Sequence, residues 1–314
     1  MKGQLSVALA WMMLRLQEVA AAYPLMAVGV HLLQTQGETP QTIMGLAYLA
    51  RAYQAIGDLS EARAPLQQSI ALSRQYGDNF GASLALTVAG VIALNQGEPI
   101  KAGRLLERAL ILKHIIGDIW GTAEIQQHLG EVALTQQAWL LAQERLTPAL
   151  NVWKTFANEQ RSRQVMMQLG YVAQQQQEIT LARGWYEDSL HLAQKNGDEP
   201  GIILAWQRLG QMERELGQWD EAIRFYQRAL ALSMSRKLHQ ESQTILAAIG
   251  MLLEEMRPQR QTLFATVDPG EPLSASLIQE LNRLFQTGEA WRPQVEPLVQ
   301  IYLGDVEKLT ADLW

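Results

Sequence analysis

The chain has 314 residues, 48% of them hydrophobic and 18% charged, with 23 Gly, 11 Pro and no Cys. That balance excludes disordered, collagenous and disulfide-stapled classes, and the lack of cysteine removes thiolate zinc sites and cysteine nucleophiles. A formal charge of -6 argues against the broad basic footprint that nucleic-acid or anionic-membrane binding needs, so neither is expected as a partner.

Reading from the N-terminus, Lys2 precedes the apolar run Leu5 to Leu14, and Ala20, Ala21 and Ala22 imitate a secretory cleavage site. Arg15, Gln17 and Glu18 interrupt the approach to that site, and the same residues fit a helical register. A cytoplasmic protein is therefore the expectation, and no run of about 18 uncharged apolar residues suggests a membrane span.

From there the sequence repeats. Gly90, Gly130, Gly170, Gly210 and Gly250 recur every 40 residues, with Ala50 in the same phase, and Ala62, Ala102, Ala142, Ala182 and Ala222 form a second series in step with them. Apolar residues around these positions fall three and four apart, as in Leu46, Leu49, Ala50 and Tyr53, which reads as amphipathic helix. Each repeat holds two such helices. Gly57-Asp58, Gly97-Glu98 and Gly217-Gln218 end the first, and Gly77-Asp78, Gly117-Asp118 and Gly197-Asp198 end the second. A glycine inside a helix costs about 1 kcal/mol relative to Ala. Its recurrence predicts close helix contact, with Ala222 brought nearly against the backbone of Gly210 and with Tyr226 and Leu230 closing the seam.

Trp206, Leu209, Gly210, Gly217, Trp219, Ala222, Tyr226, Ala229 and Leu230 resemble the tetratricopeptide repeat position by position, including Asp220-Glu221-Ala222 at the opening of the second helix. The copies around Leu46 to Leu66 and Leu129 to Ala149 match less fully. A period longer than the usual ~34 residues resembles the longer-helix variant of MalT-like bacterial regulators. The resemblance implies an all-α, right-handed α-solenoid of stacked antiparallel helix pairs, and the exposed end of such an array calls for a C-terminal helical cap. Residues 1–38 are then a degenerate helix pair, 39–238 five full repeats and 239–257 a sixth first helix that Pro258 stops. Residues 258–314 form a non-repeat tail. That tail is expected to hold helices at about 275–286 and 293–313 and to cover the last repeat, with homodimer formation through it as the alternative.

The same resemblance places a binding groove on the first helices. Its positions include Arg51, Gln54, Asn95, Gln127, Glu131, Gln164, Met167, Tyr171, Gln174, Leu204, Gln207, Gln211 and Arg214. An amide side chain both donates and accepts, which suits gripping the backbone of an extended protein or peptide segment. The implied function is a non-enzymatic adaptor or scaffold. The alternative is a sensory module of a MalT-like transcription regulator system that recognises a small effector. No cofactor, catalytic residue or metal is expected, since the phosphate-loop, nucleophile-elbow and HExxH patterns are missing. His31, His114, His128, His191 and His239 share no spacing and read as surface or satisfied interior residues. The carboxylates of Glu124 and Glu131 read as a solvated face.

Overall fold

The computed structural model describes residues 2–15, 19–35, 37 and 40–265. The chain divides into two compact units between Asp188 and Ser189. Among the described residues there are thirteen α-helices and no strand. The first unit contains α1 (Lys2–Arg15), α2 (Val19–Thr35), α3 (Pro40–Ala55), α4 (Arg63–Tyr76), α5 (Asn79–Asn95), α6 (Pro99–Ile116), α7 (Ile119–Thr135), α8 (Trp139–Thr155) and α9 (Glu159–Gln175). The division falls within α10 (Ile179–Asn196), and the second unit continues with α11 (Glu199–Glu215), α12 (Trp219–Ser235) and α13 (His239–Ala265).

One local device starts most of the first helices. Asp78, Asp118, Asn158 and Asp198 each accept a hydrogen bond from the backbone N–H three residues on, at 2.8 to 3.0 Å, a side-chain cap worth about 1 kcal/mol. The aspartates of Gly77-Asp78, Gly117-Asp118 and Gly197-Asp198 thus open the next helix as well as marking the end of the last. The preceding residue turns the chain in the left-handed region. Gly77, Gly117 and Gly197 do so at φ 65, 71 and 64°, while Gln137, Ala157, Gln177 and Lys237 adopt the same conformation without being glycine. At these turns the N–H of Ala138 reaches the carbonyl of Ala133 and that of Asn158 the carbonyl of Trp153. Such bonds satisfy carbonyls that a helix end would leave open, which offsets the strain of about 1–2 kcal/mol at each non-glycine residue.

Consecutive helices pack against one another within each unit. In the first unit Val7, Ala10, Met26, Val30 and Leu33 of the N-terminal pair join Ile43 and Leu46. Ala47, Ala50, Ala62, Leu66, Ala85 and Val88 form the next layer, and Leu86, Ala102, Leu106, Leu110, Ile125 and Leu129 the one after. In the second unit Ile203, Ala222, Tyr226, Leu230, Ile245 and Leu252 form a core of their own.

The glycine seam differs from its expected form. Ala102, Ala142, Ala182 and Ala222 are fully buried, and at Gly90 the Ala102 carbonyl oxygen stands 3.4 Å from where a Cβ would lie, but the nearest atoms across the seam belong to other residues. A Cβ on Gly90 would lie 2.7 Å from Leu106 Cγ, one on Gly130 2.5 Å from Leu146 Cδ2, one on Gly170 2.5 Å from Tyr186 Cε1 and one on Gly210 2.9 Å from Tyr226 Cε1. The bulky residue one turn beyond each alanine fills the vacancy, because its side chain reaches across to the facing backbone and the alanine methyl does not. Gly250 meets nothing within 4 Å among the described residues.

A second correction concerns Pro258. It does not stop its helix, since α13 continues to Ala265; Pro24 and Pro148 also lie inside helices. One proline deletes one donor from the ladder, and a helix survives that where its flanking bonds hold. The tail helices expected at 275–286 and 293–313, with their capping or dimer role, lie outside the described residues.

Candidate functional site

The first helices α3, α5, α7 and α9 are successive neighbours in the first unit. Their shared face is crossed by a connected polar network. It begins at the capped start of α9, where the Asn158 side chain accepts the backbone N–H of Arg161 at 3.0 Å. A cation in the first turn of a helix opposes the helix dipole, so the Arg161 guanidinium needs compensation. It donates to Glu124 Oε1 at 2.8 Å and to Gln127 Oε1 at 3.4 Å, and it stands 5.4 Å from the centre of the Trp153 ring. Arg51, from α3, approaches the same Glu124 oxygen at 4.0 Å. One turn along α7, His128 Nδ1 lies 2.8 Å from Glu131, whose other oxygen accepts from Gln168 Nε2 at 2.9 Å.

The electrostatics follow from this arrangement. Burial by itself raises the Glu124 carboxyl, but Arg161, His128 and Arg51 outweigh it and hold the group below the usual carboxylate range. For Glu131 burial again works upward, and the His128 hydrogen bond and charge, with help from Gln168 and Arg161, bring it down. Burial pushes the neighbouring Tyr48 hydroxyl up against the pull of Arg51. Both glutamates therefore remain charged and paired. They are half-buried rather than a solvated face, because the next first helix lays Arg161 and Gln168 over them.

The structure treats the sequence-selected residues unequally. Arg51, Gln127 and Glu131 join the network, and Gln164 is exposed on α9 between Arg161 and Gln168. Gln54 is half-buried and Asn95 exposed, each near the end of its helix. Gln127 and Met167 are buried, so neither offers an open surface. Gln174 is buried as well and accepts from the Tyr186 hydroxyl at 2.8 Å in the seam between α9 and α10. Tyr171 sits edge-on to Trp139 with ring centres 5.8 Å apart.

In the second unit Leu204 is exposed and Gln207 half-buried. The Gln211 amide is already engaged, accepting from Arg208 at 3.3 Å and donating to Glu215 at 3.1 Å. Arg214 lies 3.8 Å from Glu255.

Sequence reasoning missed Arg161, His128, Gln168 and Tyr48. The signal available was an offset. Glu124 with Arg161 and Glu131 with Gln168 are both 37 residues apart, and each helix carries its pair two turns apart on one stripe.

Family models for the tetratricopeptide repeat match residues 161–235 and 42–76. No curated protein matches the chain. Among solved structures, a Rap protein complexed with competence and sporulation factor is similar with a TM-score of 0.62 and 14% identity, over 84% of this chain and 74% of that one. BtubC (BKLC) from P. vanneervenii gives a TM-score of 0.57 and 17% identity, over 76% of this chain and 93% of its own. PilW, a type IV pilus biogenesis factor, gives 0.56 and 13%, over 78% and 98%. At these identities the likeness is one of fold: tetratricopeptide-type helix pairs, a framework typical of protein–protein interaction scaffolds. No described helix is long and apolar enough to cross a membrane.

Proposed function

We propose that the chain is a non-enzymatic scaffold whose first-helix face in the first unit grips a segment of another protein. The observation that carries this reading is the network itself. Arg161, Glu124, Glu131 and Gln168 hold one another in fixed rotamers, so a segment lying across α3, α7 and α9 meets a preorganised polar surface and little ordering entropy is lost on binding. Arg51 and Gln164 are the exposed members of that face. Among the described residues Arg51 has only the long 4.0 Å approach to Glu124 as an ion pair, leaving guanidinium donors for a carbonyl or carboxylate of the bound segment. The structural likeness to a Rap protein complexed with a factor supports the reading at the level of fold.

The test is a partner recovered by affinity purification. Arg51→Ala and Gln164→Ala should each weaken its binding by about 1–2 kcal/mol, with the circular dichroism spectrum and melting temperature unchanged. Unaltered affinity in both variants would remove the assignment of this face.

A further inference from the structure

A second recess lies away from the network, between the second helices α6 and α8 with the end of α7 beneath it. Its volume is about 620 Å³, and none of the network residues lines it. The recess has a sequence cause. The residue after the repeated alanine is Gln143, Arg183 or Ile223 in later repeats, but in α6 it is Gly103. Among the described residues a Cβ there would meet only Val132 Cγ1, at an ordinary 3.6 Å. Unlike Gly90 and Gly130, then, Gly103 makes room for no neighbour, although glycine inside a helix costs about 1 kcal/mol. Its structural consequence is the hollow.

The floor is apolar, with Leu129, Val132 and Ala133 buried beneath Gly103. Ile100 and Leu141 stand exposed on the two walls at 66% and 40%. The rim is cationic. Arg145 is held by Glu107 at 2.6 Å and by Gln126 at 3.4 Å. Arg104 and Arg108 are exposed and form no ion pair among the described residues. They are four apart on α6 and so share a face, one helical turn from each other. Two uncompensated guanidinium groups beside an apolar hollow stand out on a chain whose formal charge is -6.

We propose that this recess docks an acidic peptide segment of a partner protein, with one aliphatic or aromatic side chain in the Gly103 hollow and two carboxylates on Arg104 and Arg108. Each guanidinium offers a carboxylate two parallel N–H donors. Two arginines a turn apart call for two carboxylates at matching spacing, which a peptide supplies and a single carboxylate on an alkyl chain does not. The site is separate from the first-helix face and stands or falls independently of it.

The probe is a displayed library of random dodecapeptides panned against the full chain, with the enriched peptides then measured by fluorescence anisotropy. Enriched sequences should carry two or more Asp or Glu residues around a large apolar residue. Their affinity should fall at least about tenfold in Gly103→Gln and in the double variant Arg104→Glu/Arg108→Glu, and should weaken with added salt. Gly103→Gln puts a side chain into the hollow, and its melting temperature should equal or exceed that of the parent. A folded but non-binding variant thus separates occupancy from stability.

Absence of acidic enrichment, or equal binding by Gly103→Gln, overturns the proposal. So does loss of binding in Arg51→Ala with the recess variants unaffected, which would place the peptides on the first-helix face. Thermal stabilisation of the parent but not of Gly103→Gln by dodecanoate, with no acidic peptide enriched, would assign the recess to small amphiphiles and overturn it too.

Discussion

At the scale of single residues, the most informative groups are the two carboxylates on α7. Each is partly removed from water, which taken alone disfavours its charge, yet each is held below the ordinary carboxylate range by partners on its own and adjacent helices. The sign of the consequence is fixed by linkage. A carboxyl whose folded-state pKa is depressed contributes stability above its unfolded value, near 4.3, and that contribution fades as the pH falls through the folded value. Glu131→Gln, which gives up the carboxylate that lies against His128 and accepts from Gln168, should therefore melt at a lower temperature than the parent at pH 7, by about 1 kcal/mol of stability. The gap should close below about pH 4. A melting series across that range measures it, and a gap that stays constant with pH would show that Glu131 is not stabilised as its ion.

At the scale of the helix pair, a single vacancy on the first helix decides how closely the second can approach. Gly130 faces Leu146 so tightly that a new methyl would fall 2.5 Å from Cδ2 and 2.6 Å from Cγ, and overpacking of this kind costs about 1–3 kcal/mol. Gly130→Ala should lower the melting temperature, and combining it with Leu146→Ala should cost less than the sum of the two changes, since the pair competes for one space. Gly250 shares the same sequence phase but meets nothing within 4 Å among the described residues. Gly250→Ala should therefore gain helix propensity, up to about 1 kcal/mol. Equal effects of the two substitutions in differential scanning calorimetry would refute the seam. The aligned glycines are identical in the sequence pattern and unlike in the structure, because whether a glycine is needed depends on what faces it across the pair.

At the scale of the whole molecule, helices contact mainly their neighbours in chain order. Stability in such an array is the sum of each pair and its nearest interfaces, and the elements with covered flanks are the last to open. In the first unit the amide protons of α5 to α8 should exchange most slowly and those of α1 fastest, which hydrogen–deuterium exchange by mass spectrometry reads directly. Uniform protection from α1 to α9 would mean that the unit opens as one cooperative body.

Much of this architecture was legible beforehand. The glycine and alanine series, the turn residues and the three-and-four spacing fixed the helix pairs, because these depend on backbone geometry that neighbouring residues set. Four left-handed turns at Gln137, Ala157, Gln177 and Lys237 carried no glycine signal and were legible only through the period. The continuation of α13 beyond Pro258 was likewise hidden, since one missing hydrogen bond does not decide a helix whose other bonds remain.

The candidate sites divide along the same line. By itself the sequence determined which helices come first in each pair and therefore which residues belong to one face. Only the tertiary structure decided that Glu124 is held by Arg161, that Gln174 is spent on Tyr186 in the seam and that Gly103 leaves a recess lined by arginines. The physical reason is range. A helix register is set within a few residues along the chain, whereas a charge pair or an empty hollow depends on how far a neighbouring helix, some 37 residues away for the Arg161–Glu124 pair, advances and which side chains it lays over the gap.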